Sequence, residues 1–270
     1  MTGQHTLRVS ILGAGYMGRV HSESWSKLDY VKIVKIYSRT LNKAKELASK
    51  FNAEATCNLD EAIMDERVDI VDICLPTFMH KEVAIKALRA NKHVLLEKPI
   101  ALSLEDARAI INEAKKAKGK FMVAHCLRFF PEYSIIKKIV DEGTIGEPLI
   151  ARAIRIGSYP TWGSNNWFSD LSKSGGVAID LIIHDLDYLR WIFNSEVKEV
   201  YAKINDKDEG YVRKGYHVMA LLKFENGKLA YVEGSWAQPP TYPFTMGLEL
   251  IGSHGSIIYK SSLSQPYDHI

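Results

Sequence analysis

Three polar side chains that could do chemistry lie in strongly apolar stretches of the sequence. Lys98 closely follows the predicted buried strand 93–96 and precedes Pro99, whereas Asp180 and His184 stand four residues apart among Ile, Leu and Val. Residues with that spacing share one face of a helix. A desolvated lysine can hydrogen-bond a substrate hydroxyl and favour its alkoxide form. A histidine can carry the proton of that hydroxyl near neutral pH, with Asp180 orienting either group.

Each of these residues also has a structural interpretation. Lys98 could be a surface lysine at a strand end, and Asp180 with His184 could be a self-satisfied core pair or two metal ligands. A metal is disfavoured because no third ligand stands nearby and the His-Glu-x-x-His pattern is absent. The bond before Pro99 is a candidate for the cis form.

A glycine-rich motif follows the first apolar run and opens an amphipathic segment. It consists of Gly13, Ala14, Gly15, Tyr16, Met17 and Gly18. Between a strand and a helix this spacing indicates a dinucleotide site: Gly13 permits the tight turn, Gly15 admits the pyrophosphate, and Gly18 lets the helix pack on the strand. The helix N-terminus would then bind the pyrophosphate. An ordinary glycine-rich turn and a methyltransferase site are the alternatives.

The end of the second predicted strand bears on which dinucleotide binds. An NAD site usually offers Asp or Glu there, but this chain has Ser38 and Arg39 and no carboxylate at residues 37–40. A serine and an arginine can hydrogen-bond and pair with a 2′-phosphate. The sequence therefore favours NADP(H), with NAD(H) as the alternative if Arg39 only faces solvent.

The elements that must position these residues change character along the chain. Strand-like runs at 7–12, 31–37, 68–75, 93–97 and 120–126 alternate with predicted helices at 16–28, 41–51, 80–90 and 104–118. This rhythm predicts a doubly wound parallel sheet with a ligand crevice at the carboxyl ends of its strands. Ser103 with Asp106 resembles a capping box at the start of the last helix.

The later part of the chain predicts an α+β domain with an open, mostly antiparallel sheet. Helices are predicted at 131–142 and 176–193 and a strand at 149–156. Strands at 218–224 and 229–236 flank Asn226-Gly227, a strong hairpin signal, and strands at 246–251 and 256–259 follow. We therefore expect an α/β chain with a dinucleotide-binding domain over residues 1–126 and an α+β domain over residues 127–270.

Composition excludes several classes of function. The 270 residues carry 35 basic and 32 acidic side chains, evenly mixed, for a net charge of +3, which argues against nucleic-acid and membrane partners. The first ten residues lack the charged-then-apolar pattern of a signal peptide, and no apolar run approaches the ~18 residues of a membrane span. Three widely spaced cysteines, Cys57, Cys74 and Cys126, form no disulfide or Cys-x-x-Cys pattern. A cytoplasmic location is expected.

Five motifs, in a consistent order from about residue 7 to residue 259, resemble one known family. They are GAGYMG at 13–18, LPTFMH at 75–80, EKP at 97–99, LRFFPEY at 127–133 followed by EGTIGEP, and SGGVAIDLIIHDLD at 174–187. Together they are similar to the Gfo/Idh/MocA oxidoreductases, a family that includes glucose–fructose oxidoreductase and inositol 2-dehydrogenase.

The resemblance implies a Rossmann domain followed by an α+β domain whose open sheet forms a homo-oligomer, a dimer or tetramer. It also implies hydride transfer between a nicotinamide and a hydroxyl-bearing carbon of a sugar, cyclitol or related diol. By position, Lys98 matches the catalytic lysine, Asp180 the substrate-orienting acid and His184 the proton-transfer histidine. Further cofactor contacts are implied at Leu75, Pro76, Thr77, His80, Glu97, Lys98 and Arg128.

Two departures from the family pattern stand out. Val177 takes the place of a third glycine, and the sequence ends at Ile270, where relatives continue for a strand and a helix. The second departure is consistent with a shortened chain or a short member of the family, and it bears on the completeness of the sheet.

Substrate contacts are expected from the loop 159–170 as well as from Lys98, Asp180 and His184. Its Trp162, Asn165 and Trp167 suit a polyhydroxylated ring, although Trp and Asn are also ordinary loop anchors. His125 is interpreted as structural. Two further functions stay open from the sequence: a non-catalytic dinucleotide sensor or regulatory protein, and a glycosidase that uses tightly held NAD.

Overall fold

The computed structural model describes residues 6–263. Residues 1–5 and 264–270, including the chain end at Ile270, lie outside the described residues. The chain forms two compact units. The first comprises the residues up to Ala124 together with Trp162–Phe168, and the second comprises His125–Thr161 and the residues from Ser169 onward. Within residues 6–263, no helix has the length and apolar character that crossing a bilayer requires.

The first unit is a six-stranded parallel sheet of order β3-β2-β1-β4-β5-β6, with helices in the crossovers. Its elements are β1 Leu7–Leu12, α1 Tyr16–Ser26, β2 Val31–Tyr37, α2 Leu41–Ser49, β3 Glu54–Thr56, α3 Leu59–Met64, β4 Ile70–Ile73, α4 His80–Arg89, β5 His93–Glu97, α5 Leu104–Ala114 and β6 Phe121–Ala124. Successive strands from β1 to β3 are added on one side of β1, and those from β4 to β6 on the other. The boundary between β1 and β4 is therefore the switch point where such sheets bind ligands. The predicted doubly wound parallel sheet is confirmed.

Local sequence explains most of these boundaries. The runs at β1, β2 and β5 are rich in Val, Ile and Leu and have the predicted ends, as expected of strands covered on both faces. Ser103 Oγ accepts a hydrogen bond from the Asp106 N–H at 3.1 Å, which confirms the predicted cap of α5. The short pair β3 and α3 was not predicted, because only a few side chains of that polar segment are buried.

The second unit is a mixed six-stranded sheet of order β12-β11-β7-β10-β9-β8. Its elements are α6 Pro131–Asp141, β7 Pro148–Ser158, α7 Leu171–Ser174, α8 Ile183–Phe193, β8 Val197–Ile204, β9 His217–Phe224, β10 Leu229–Gln238, β11 Phe244–Gly252 and β12 Ser256–Leu263. Only the β7–β10 pair is parallel, so the expected mostly antiparallel sheet is confirmed. The hairpin at Asn226-Gly227 joins β9 to β10, with Gly227 at φ 84°.

Candidate active site

The glycine-rich turn between β1 and α1 is built so closely that two of its positions admit no side chain. Gly13 has φ 122°, and a Cβ there would lie 2.4 Å from the Cys74 carbonyl oxygen. A Cβ at Gly18 would lie 1.7 Å from the Gly13 carbonyl oxygen. These two glycines therefore serve the packing of the turn on itself and on the chain after β4.

Gly15 differs from them because nothing in the protein crowds it. No atom lies within 4 Å of the position of its missing Cβ. It is the N-cap of α1, which has neither a capping side chain nor an acidic residue in its first turn. The N-terminus of α1 is thus left without a side-chain acceptor, and the space beside Gly15 is open. Both features fit a dinucleotide pyrophosphate.

The carboxyl end of β2 lies beside this turn, because the Gly13 N–H donates to the Tyr37 carbonyl at 2.9 Å. Ser38 follows half-buried, and its Oγ accepts a hydrogen bond from the Thr40 N–H at 3.3 Å. Arg39 is exposed. The predicted ribose-recognition position is therefore next to the glycine turn.

Residues 75–80 and 97–99 are joined through His80. This side chain is fully buried, with Nδ1 2.8 Å from the Pro99 carbonyl oxygen and Nε2 2.9 Å from the Leu75 carbonyl oxygen. Burial lowers the pKa of His80. Pro76 is half-buried and Thr77 is buried at the start of the same segment. His80 thus holds together the turns that follow β4 and β5.

Lys98 stands directly after β5, at the carboxyl end of the parallel sheet. It is half-buried, and the bond to Pro99 is cis. Its backbone N–H donates to Glu97 Oε2 at 2.9 Å. The Glu97 side chain is buried. Burial by itself would raise the pKa of Glu97, but the hydrogen bond from His21 and the positive charges of His21 and Lys98 lower it below its usual range.

Sequence reasoning missed a group of buried polar side chains behind Glu97. His21, on α1, has Nδ1 2.9 Å from Asp72 Oδ2 and Nε2 3.0 Å from Glu97 Oε1. Trp25, one turn later on α1, donates from Nε1 to the same Asp72 oxygen at 2.6 Å. The available signal was an acidic residue, Asp72, inside the apolar strand β4, with His21 and Trp25 at helical spacing after the glycine motif.

The loop residues expected to contact substrate belong to the first unit. The Trp162 ring lies 5.8 Å from the Tyr16 ring, centroid to centroid, and the Trp167 ring lies 6.4 Å from the Phe78 ring. Asn165 is exposed in a left-handed conformation, with φ 56°. The structure thus brings the two tryptophans to the glycine motif and to the segment after β4.

In the second unit, the predicted helix over 176–193 is wrong in one respect, because it begins with a π-helical turn. Gly175 and Gly176, both at positive φ, precede that turn over Val177–Leu181, and α8 starts only at Ile183. The Ile182 N–H donates to the Val177 carbonyl at 3.1 Å, across five residues. A run that is apolar except for Asp180 gives no periodicity that separates this turn from an α-helix, and π turns are frequent at functional sites.

Asp180 lies in the π turn and His184 in the first turn of α8, and both side chains are buried. Val177, at the position where the family resemblance implies a glycine, lies against a glycine of the sheet. A Cβ at Gly234 on β10 would lie 2.9 Å from Val177 Cγ1 and 2.3 Å from Ile182 Cγ2. The missing side chain of Gly234 therefore leaves room for the π turn against the sheet.

The acidic residue after His184 anchors α8 to the sheet. Asp185 pairs with Arg155 of β7 through two bonds of 2.8 and 3.0 Å, and their side chains are only 2% and 4% exposed. Burial by itself would lower the pKa of Arg155, but the negative charge of Asp185 outweighs burial, and the pKa lies above its usual range. The sequence analysis did not identify this pair, whose members are 30 residues apart.

A second pair on α8 involves a residue expected at the cofactor. Arg128 makes two 2.7 Å hydrogen bonds to Asp187, and its guanidinium lies 5.3 Å from the centre of the Trp191 ring. His125 Nδ1 lies 3.8 Å from the same carboxylate. The Arg128 side chain is thus held at α8 within the second unit.

Two family profiles match this chain. The one described as "Oxidoreductase family, NAD-binding Rossmann fold" matches residues 7–125. The one described as "GFO/IDH/MocA C-terminal domain" matches residues 133–258. Together the two profiles match most of the chain.

Individual relatives agree with the profiles. Myo-inositol 2-dehydrogenase of Thermotoga maritima is 30% identical over 255 residues, which cover 93% of this chain and 74% of that protein. Inositol 2-dehydrogenase of Rhizobium meliloti is 31% identical over 257 residues, covering 93% and 75%. The solved structure of GenD2 from gentamicin A biosynthesis, in complex with NAD, superposes with a TM-score of 0.87 at 25% identity, covering 98% of this chain and 74% of that one.

The buried pair beneath α8 gives a stability prediction. We expect Asp185→Asn to lower the free energy of unfolding by about 3–5 kcal/mol, because the Arg155 charge would stay buried without its partner. The measurement is urea denaturation followed by fluorescence. The matched control is Glu196→Gln, which removes the exposed pair with Arg190 and should cost about 0–1 kcal/mol. Equal losses in the two variants would contradict the anchoring role.

Proposed function

This chain belongs to the Gfo/Idh/MocA oxidoreductase family, and we propose that it is a dehydrogenase that transfers hydride between a nicotinamide dinucleotide and a hydroxyl-bearing carbon of a cyclitol or sugar. The observation that carries the proposal is the position of Lys98. It follows β5 at the carboxyl edge of the sheet, one strand beyond the β4 side of the switch point, and the glycine turn opens α1 at the same edge.

The dinucleotide would lie along that edge. Residues 13–18 would hold its pyrophosphate, with Gly15 leaving the space and α1 supplying backbone N–H groups. Residues 75–77, together with Glu97 and Lys98, would line the nicotinamide half. His80 would hold these two segments in place rather than contact the dinucleotide through its ring nitrogens, since both nitrogens face backbone carbonyls. The bound nicotinamide supplies the hydride chemistry, and the protein supplies binding and orientation.

Three side chains would act on the substrate hydroxyl. Lys98 would donate a hydrogen bond to its oxygen and stabilise the charge that develops there. His184 would take the proton from that oxygen during oxidation and return it during reduction. Asp180 would orient the hydroxyl or the imidazole. In this proposal residues 1–126 form the dinucleotide-binding domain and residues 127–270 the substrate and oligomerisation domain, in a protein of the cytoplasm.

A cyclitol is the substrate class that the relatives favour. Two of them are named as inositol dehydrogenases. A cyclitol presents apolar ring faces and a rim of hydroxyls, which suit aromatic and amide side chains. We propose that Trp162, Asn165 and Trp167 supply such contacts.

For the dinucleotide, we propose a preference for NADP(H) over NAD(H). The support is chemical: Arg39 is exposed at the end of β2, Ser38 stands beside it, and residues 37–40 contain no carboxylate that would repel a phosphate. A guanidinium matches a phosphate through two parallel hydrogen bonds. Arg128 is part of the same proposal at the nicotinamide end, held by Asp187.

We further propose that a second copy of this chain packs on one face of the second unit's sheet. The strand register places Tyr201, Leu221, Tyr231, Arg152, Glu249 and Ile258 in one row across that face. Leu221 is 56% exposed and Ile258 76%. In the neighbouring row Leu229, Ile150 and Ile251 are also exposed. An apolar face of this extent is typical of an interface.

Removal of either proposed acid–base group tests the reaction. We expect Lys98→Ala and His184→Ala each to lower kcat by roughly 10²-fold, because each removes a positioned group that acts in the transition state. Dinucleotide affinity should stay at the wild-type level. The assay follows reduced nicotinamide by absorbance with a panel of inositols and sugars. Lys116→Ala, at an exposed lysine in the turn after α5, is the control. Wild-type turnover in both test variants would exclude the proposed site.

The cofactor preference is tested by titration. We expect the wild type to bind NADPH more tightly than NADH, and Arg39→Ala to weaken NADPH by about 10- to 100-fold through loss of a charged hydrogen bond. NADH affinity should not change. Quenching of tryptophan fluorescence reports binding, and Lys43→Ala on α2, also exposed, controls for the lost charge. Tighter NADH binding by the wild type would overturn the preference.

The interface is tested by a charge on the exposed face. We expect Leu221→Glu to shift the wild-type dimer or tetramer toward a monomer, since an unpaired carboxylate would be buried in the contact. Light scattering after size-exclusion chromatography measures the mass. Leu104→Glu, at an exposed leucine on α5 of the first unit, should leave the mass unchanged. A monomeric wild type would contradict the proposal.

A further inference from the structure

The imidazole of His21, which is mostly shielded from solvent, is held between two carboxylates from different strands. Nδ1 lies 3.0 and 2.9 Å from the two oxygens of Asp72 on β4, and Nε2 lies 3.0 Å from Glu97 Oε1 on β5. The side chains of His21, Asp72 and Glu97 are 13%, 0% and 10% exposed. One ring therefore links α1 to the carboxyl ends of both strands.

The contacts fix the protonation of the ring. An ionised carboxylate can only accept hydrogen bonds, so both nitrogens must donate and His21 is an imidazolium. Burial by itself would lower the pKa of His21, but the charge of Asp72 and its hydrogen bond to the ring help to raise it above its usual range. Two negative charges and one positive charge are thus buried together, and the cation is shared between the carboxylates.

A metal ion is the alternative occupant of this place. His21, Asp72 and Cys74 offer ligand atoms that lie within 4.8 Å of one another. Cys74 Sγ, however, donates to Asp72 Oδ1 at 3.5 Å, and burial raises the pKa of this thiol to about 12. Trp25 also donates to Asp72. Protons therefore already satisfy the acceptor atoms that a cation would need.

The ion pair extends to the residue that the proposed reaction depends on. Glu97 Oε1 accepts from His21, and Oε2 accepts from the backbone N–H of Lys98 at 2.9 Å. The imidazolium thus fixes the carboxylate, and the carboxylate fixes the peptide from which the Lys98 side chain projects.

We propose that His21 is a positioning residue for Lys98, acting through Glu97. The proposal rests on the proposed function, in which Lys98 binds the reacting hydroxyl. The same ring ties α1, which opens at the glycine turn, to the strand end that carries Lys98. His21 thereby holds the dinucleotide-binding helix and the proposed catalytic lysine in a fixed relation.

Without His21, the ionisation of Glu97 should move into the working pH range. Burial would raise the pKa of Glu97 with no imidazolium to oppose it. The remaining groups that face Glu97 are Asp72 of β4, Cys74 in the turn after β4, His80 of α4 and Lys98 itself. In that variant Glu97 would be protonated and neutral at low pH, and ionised at high pH.

The test compares three single variants by kcat, dinucleotide affinity and pH profile. His21→Gln should lower kcat by roughly 10- to 100-fold at neutral pH, as expected when a reacting group is misplaced. Its activity should rise with pH along a limb that the wild type lacks, because Glu97 ionises there. Glu97→Gln should lower kcat without that limb. Trp25→Phe removes a bond to Asp72 but none to Glu97, so it should keep the wild-type kcat and profile.

Several outcomes overturn the inference. One is a His21→Gln enzyme with wild-type kcat and pH profile, provided that Lys98→Ala is impaired; if Lys98→Ala is fully active, the proposed function itself fails. If His21→Gln does not fold, Glu97→Gln carries the test, and wild-type kcat in that variant overturns the inference. Stoichiometric metal in the purified wild type, measured by mass spectrometry, would replace the imidazolium assignment with a metal site.

Discussion

A charge that is removed from water must be matched inside the protein, and this requirement organises both units around their most reactive segments. In the first unit the buried Glu97 is matched by His21, and the next residue is Lys98. In the second unit the buried Asp185 is matched by Arg155, and the preceding residue is His184. Each buried pair joins a helix to a strand. Each therefore fixes the backbone beside a side chain that is proposed to meet the substrate, a role that leaves little freedom of position.

The same requirement explains why acidic residues stand beside Lys98 in the motif at 97–99 and beside His184 in the motif at 184–187. Glu97 is buried and accepts a hydrogen bond from the backbone N–H of Lys98, so it fixes the conformation of the strand end. The aspartates of the sequence His-Asp-Leu-Asp pair with Arg155 and Arg128. Glu97, Asp185 and Asp187 thus serve as anchors, while the basic side chains of Lys98 and His184 are among those proposed to act.

Close backbone approach is the second constraint, and glycines meet it. Gly13 and Gly18 let β1, α1 and the chain after β4 come together, and Gly234 lets β10 receive Val177 of the π turn. Gly15 has no such neighbour. The open position therefore stands out against the crowded ones, and it is the one at which a dinucleotide-binding domain needs space for a ligand.

The sequence by itself determined the features that depend on neighbouring residues. Apolar runs and helical spacing predicted β1, β2 and β5 at their observed ends, Ser103 predicted the cap of α5, and Asn226-Gly227 predicted the hairpin. The motif order also predicted the family. These features are local, or follow from patterns repeated along the chain.

Only the tertiary structure decided which buried charges meet. His21 and Glu97 are 76 residues apart, and Arg155 and Asp185 are 30 apart, so no local pattern joins them. The π turn before α8 and the packing of Trp162 on Tyr16 were likewise decided by contacts with other parts of the chain. Local propensity sets which elements form, whereas the pairing of buried charges depends on the sheet order that brings distant strand ends together.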